Sequence, residues 1–145
     1  MQTLAQSLQR RSPVLCVLDH TRTVADAVAV LAARELGALL VTDRNDRVIG
    51  VFSERDLLRR VIAEGRSPEH TALAEVMTPS PVTATPGEAR ESALRKMQRA
   101  GCRHLPVVAD GTVIDMLSMR DLLFYELEER ASEVDQLRAY IQGSY

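Results

Sequence analysis

Tryptophan is absent from the 145 residues and aromatic side chains make up only 3% of them, which leaves few stacking platforms of the kind that single-strand nucleic-acid binders use. Two cysteines, Cys16 and Cys102, are too few and too dispersed for a disulfide scaffold or a four-ligand zinc site. Both lie in apolar runs, where free cysteine is often buried, and the expected compartment is a reducing cytoplasm. No charge excess is present either: 18 basic and 20 acidic side chains leave a net charge of −2, so nothing draws the whole molecule to nucleic acid or an anionic membrane. No apolar stretch approaches about 18 residues, and Met1 to Leu8 lacks a charged leader followed by an apolar run. Neither export nor membrane insertion is expected.

What the chain does have is the composition of one ordinary globular domain, 46% hydrophobic and 26% charged, with a core that must be aliphatic. Leu4 and Leu8 share a helical face, so residues 3–10 predict a short helix that stops before Ser12-Pro13. Val14 to Leu18 follows as a short strand. Thr23 with Asp26 three residues on forms a capping box, and Val24, Ala27, Val28 and Leu31 make the apolar stripe of a helix ending near Gly37. Ala38–Thr42 and Arg47–Phe52 predict two strands around the turn Asp43 to Asp46, and a helix runs from Ser53 to about Glu64. The proline-flanked Met77-Thr78-Pro79-Ser80-Pro81 marks a boundary.

Beyond it the order recurs. Val82–Ala84 predicts a strand, Pro86–Ala100 a helix, Arg103–Val108 a strand, Asp110-Gly111 a turn, Thr112–Leu117 a strand, and a helix begins at Ser118. The offset between copies is 66 residues, and 65 after the shorter second turn. A constant offset that slips only in a turn indicates duplication. The expected organisation is an N-terminal helical extension (1–11), a first repeat (12–66), a linker (67–77), a second repeat (78–127) and a C-terminal helical extension (128–145). In that last helix Leu123, Leu127, Val134, Leu137 and Ile141 form a heptad-like stripe interrupted by Arg130. It suits equally a helix folded back on its own domain and a dimer contact.

The most informative stretch is said twice. Ser53-Glu54-Arg55-Asp56 and Ser118-Met119-Arg120-Asp121 each place a hydroxyl, a guanidinium and a carboxylate where a strand meets a helix. Unpaired N–H groups and the helix dipole favour an anion there. Arg55 and Arg120 can bond phosphate oxygens, while Asp56 and Asp121 can accept both hydroxyls of a ribose diol. Ser-x-x-Asp is also an ordinary capping box, about 1 kcal/mol of local stability, and the two roles can coexist. Catalysis is not expected. Cys102 and His104 share a strand face without an orienting third group, and the chain has no P-loop, dinucleotide fingerprint or His-Glu-x-x-His. No catalytic cofactor and no metal site are expected.

In order and spacing, the motifs Val76-Met-Thr-Pro-Ser-Pro-Val82, Arg103-His-Leu-Pro-Val-Val108 and the two Ser-x-Arg-Asp junctions make the chain resemble a tandem pair of CBS domains, a Bateman module, from about Ser12 to Leu127. That resemblance implies an α+β fold of two β-α-β-β-α repeats packed with pseudo-two-fold symmetry, here with a long C-terminal helix added. It also implies two related clefts for an adenosine ligand such as AMP, ADP, ATP or S-adenosylmethionine, pairing into a homodimer, and a non-catalytic sensor that signals to a separate effector protein. By the same resemblance Ser53, Arg55, Asp56, Ser118, Arg120 and Asp121 contact ribose and phosphate, Arg103 and His104 lie near the phosphates, and Thr83 and Thr85 near the base and ribose. The first repeat carries Gly37, Ala38, Val17 and Asp19 at the last four positions, and Asp115 stands where it has Gly50. The two clefts are therefore expected to bind unequally, with Asp115 either repelling phosphate at the second or binding elsewhere. The alternative is a ligand-independent interaction module.

Overall fold

A computed structural model of the chain describes residues 2–143, so Met1 of the expected N-terminal extension and residues 144–145 of the C-terminal one lie outside the described residues. The chain forms two compact units: residues 14–81, and residues 2–13 together with 82–143. Each has its own hydrophobic core. Among the described residues no helix is long and apolar enough to cross a membrane.

In the unit of residues 14–81, β1 (Val17–Asp19) runs parallel to β2 (Ala38–Thr42) through the crossover helix α2 (Val24–Arg34), and β3 (Val48–Ser53) returns antiparallel to β2. The hydroxyl of Thr23 caps α2 by accepting from Asp26 N at 3.1 Å. The apolar stripe then sinks Val24, Ala27 and Leu31 onto Leu39, Val41 and Phe52. The expected helix from Ser53 starts as α3 (Glu54–Asp56), but Leu57–Ile62 is wound as a π-helix, with Ala63 N bonding Leu58 O at 2.9 Å. Glu35 closes α2 in the left-handed conformation that Gly101 adopts after the equivalent helix.

The second repeat follows the same plan with α5 (Arg90–Ala100), β5 (His104–Ala109), β6 (Thr112–Ser118) and α6 (Met119–Gly143). The β5–β6 register even repeats the irregularity of β2–β3, after Val107 as after Val41. Its first strand differs from expectation. Residues 82–84 make a single parallel bridge, Ala84 to Val107, held by Ala84 N→Pro106 O at 3.0 Å and Val108 N→Ala84 O at 2.7 Å. The cause is two prolines. The ladder of the first repeat is flanked by Leu40 N→Cys16 O and His20 N→Thr42 O. The equivalent donors are Pro106 and Pro86, which have no N–H. Helix α5 starts at Arg90, four residues later than predicted and at the position equivalent to Val24, where α2 starts.

The two lead-in segments are equivalent. Before the first repeat lies α1 (Leu4–Leu8), and between the repeats lie α4 (Leu73–Val76) and the short β4 (Thr78–Pro79), paired with β3. Leu4 N bonds Glu88 O and Leu73 N bonds Arg22 O, both at 2.9 Å, and Ala5 N and Ala74 N bond Pro86 O and His20 O in the same way. Leu4 and Leu73 are both fully buried. The segment ahead of each repeat therefore completes the core of the other: residues 2–13 belong with the second, α4 with the first.

Candidate functional site

Each Ser-x-Arg-Asp sequence caps the helix it opens. Ser53 Oγ accepts from Asp56 N at 3.3 Å while Ser53 N donates to Asp56 Oδ2 at 3.0 Å, and Ser118 and Asp121 repeat both bonds at 3.0 Å. Ahead of each junction a backbone bond ties the opposing strand to the first turn: Glu54 N→Gly37 O at 3.0 Å and Met119 N→Arg103 O at 2.8 Å. His104 is directly across the ladder from Ser118, as Ala38 is from Ser53. The structure thus gathers Arg103, His104, Ser118, Arg120 and Asp121 at one junction and Ser53, Arg55 and Asp56 at the other. Arg55, Arg103 and Arg120 are exposed and His104 is half-buried. Thr83 and Thr85 flank Ala84, which bridges β5; both are exposed, with Thr83 O accepting from Lys96 Nζ at 2.9 Å and Thr85 N donating to Glu88 Oε2 at 2.7 Å.

The carboxylates at the two junctions live in different surroundings. Asp56 is buried, and besides Ser53 it accepts from Thr78 Oγ1 at 3.0 Å and pairs with Arg60 Nε at 3.6 Å. Asp121 keeps 37% of its side chain exposed, and its Oδ2 also accepts from Arg11 Nη1 at 2.8 Å. Burial pushes the Asp121 carboxyl up, but the Ser118 N–H and the Arg11 guanidinium outweigh it and hold the group below the ordinary carboxylate range. It is an ionised acceptor at neutral pH, able to take donors such as ribose hydroxyls. Burial likewise pulls Arg11 down, and the bond to Asp121 with the charges of Asp115 and Asp121 prevails to raise it.

Arg11, Thr78 and Arg60 were not legible as site residues. Thr78 lies 22 residues from Asp56, and Arg11 lies 110 and 104 residues from Asp121 and Asp115. Only Arg60, one helical turn after Asp56, carries a local signal. Asp115, the second repeat's counterpart of Gly50, faces Arg11 Nη2 at 3.4 Å and accepts from Met116 N at 2.7 Å. Among the described residues no group of three or more His, Cys, Asp and Glu is arranged to hold a metal.

Comparison with known proteins decides the family. The CBS domain profile matches residues 6–63 and 73–128. The chain belongs to the CBS domain family. CBS-domain proteins are generally regulatory modules, and the mixed α/β fold with its long final helix matches solved CBS pairs. The chain is 40% identical over 126 residues to the CBS domain-containing protein CBSCBSPB2 of Arabidopsis thaliana, covering 86% of this chain and 23% of that protein. It is 35% identical over 134 residues to the mitochondrial CBSX3 of the same plant, covering 90% and 64%. The chain thus spans about a quarter of the one relative and under two thirds of the other. Among solved structures, a Burkholderia ambifaria protein described as a signal-transduction protein with CBS domains superposes with a TM-score of 0.80 at 30% identity, over 84% of this chain and 91% of that one. The hexameric CBS-CP12 protein of bloom-forming cyanobacteria gives 0.76 at 26% identity, over 85% and 67%.

Proposed function

We propose that this CBS pair is a non-catalytic sensor of an adenosine compound, AMP, ADP, ATP or S-adenosylmethionine, and that the two Ser-x-Arg-Asp junctions take its ribose and phosphate. The observation that carries this reading is the second junction. It has an ionised, part-exposed Asp121 at a helix start, an exposed Arg120 beside it, and His104 across the ladder from Ser118. Hydroxyl donors suit the carboxylate and phosphate oxygens suit the cations. At both junctions the carboxylate already serves protein donors, Ser53, Thr78 and Arg60 at Asp56 and Ser118 and Arg11 at Asp121, so a ribose competes with the protein's own bonds at each. Occupancy is passed to a separate effector protein in the cytoplasm.

A second copy of the chain is the other partner. Leu58 and Ile62 are exposed in one repeat, and their equivalents Leu123 and Leu127 are exposed in the other. The same apolar pair, left on the surface twice, suits self-association.

Calorimetric titration of ligand-free protein with the four compounds tests the ligand. Binding is expected, with Asp56→Ala and Asp121→Ala each weakening it, unequally, by about tenfold or more. Equal losses would refute the inequality of the junctions, and failure of all four compounds to bind would sink the sensor reading in favour of a ligand-independent interaction module.

A further inference from the structure

Arg11 belongs to no motif of the chain, yet it is the residue that makes the second junction unlike the first. Its side chain is 13% exposed and that of its partner Asp115 is 2% exposed. The offset of 66 sets Arg11 at the place of Met77, and the offset of 65 sets Asp115 at the place of Gly50. In the first repeat Met77 lies so close over Gly50 that an added Cβ would meet its Sδ at 2.4 Å. The same pair of positions is therefore a thioether on a glycine in one unit and a guanidinium on a carboxylate in the other. The guanidinium has a second hand, which donates from Nη1 to Asp121 Oδ2 at 2.8 Å.

We propose that Arg11 is the affinity-setting residue of the second junction: it occupies Asp121 in place of a ligand hydroxyl, and a ribose diol binds there by displacing it. The proposal rests on the adenosine-ligand reading above and adds the residue that limits it. A neutral hydroxyl donor exchanged for a guanidinium keeps a hydrogen bond to the carboxylate but gives up the ion pair. Displacement also takes from the buried Asp115 the cation that faces it. Both costs fall on the ligand, so the second junction binds more weakly than its Ser-Arg-Asp set would alone.

Arg11→Met combined with Asp115→Gly installs the first repeat's pair and removes both charges together, so that no buried carboxylate loses its counter-ion. Should that protein lack a cooperative melt, Arg11→Gln with Asp115→Asn keeps the side-chain shapes and replaces it. Calorimetry with AMP and with ATP is run in an Asp56→Ala background, which silences the first junction. The charge-free protein is expected to bind about tenfold more tightly than the Asp56→Ala parent, because no hydrogen-bonded ion pair has to be displaced, and to lose that binding on addition of Asp121→Ala. Affinity no higher than the parent's overturns the proposal. Nucleotide binding by the wild-type chain, with none by the charge-free proteins in the Asp56→Ala background, also overturns it and leaves the sensor reading standing. Absence of binding throughout overturns both.

Discussion

Asp56 and Asp121 hold the same step of a duplicated motif, and the spacing Ser-x-x-Asp made their capping role legible before any coordinates. Their difference was not legible, because it is written by Thr78 and Arg11, residues brought in from other segments. Gly50 shows the same limit. Its contrast with Asp115 was visible in the alignment of the repeats, but Met77 as the reason for the glycine was not. A Cβ at Gly50 would stand 2.4 Å from Met77 Sδ and 2.9 Å from Thr78 O. The thioether can turn aside, whereas the carbonyl belongs to the β3–β4 pairing that presents Thr78 to Asp56. Gly50→Ala is therefore expected to lower stability by about 1–3 kcal/mol, the usual cost of overpacking. Urea unfolding measures it, and a change below a few tenths would contradict the close approach of the Thr78 carbonyl.

Among the elements, α2, with its strong apolar period, was predicted well because one buried stripe fixes both helix and face, and α5 was placed with its start four residues early. The first strand of the second repeat was overpredicted because Val82 to Ala84 looks as strand-like as its counterpart, while the ladder fails for want of donors at Pro86 and Pro106. The final helix poses the opposite problem. Residues 130–142 are all exposed, and an isolated helical stretch of about a dozen residues is marginal in water. Yet Leu127, Val134, Leu137 and Ile141 line one stripe, with Arg130 held 3.9 Å from Glu126 within it. Partnering by a second copy would account for both facts. Leu127→Glu with Leu137→Glu is expected to halve the mass seen by light scattering and to speed amide exchange over residues 131–142. An unchanged mass would remove α6 from the self-association surface.

At the scale of the molecule, duplication was read from the offset of 66 and 65 residues, and the family fold followed from it. Chain threading was not read, because it depends on long-range pairing that leaves no periodic trace. Residues 2–13 and 82–143 form one unit from both ends of the chain, and residues 14–81 form the other. The N-terminal segment gives the second repeat the buried Leu4, the Ser7 hydroxyl 3.3 Å from the buried Arg90 Nε, the Arg10–Glu128 ion pair and the Arg11 bonds to Asp115 and Asp121. Loss of a buried leucine alone typically costs about 2–5 kcal/mol, a large share of the 5–15 kcal/mol that holds an ordinary domain folded. The first repeat draws its own lead-in, α4 with Leu73 and Val76, from the middle of the chain. Deleting residues 2–11 is thus expected to strip amide-exchange protection from residues 82–128 and to spare residues 14–81. Equal loss across both stretches would mean that the two cores do not hold independently, and no loss in either would mean that Leu4 and Arg11 contribute little to the unit they complete.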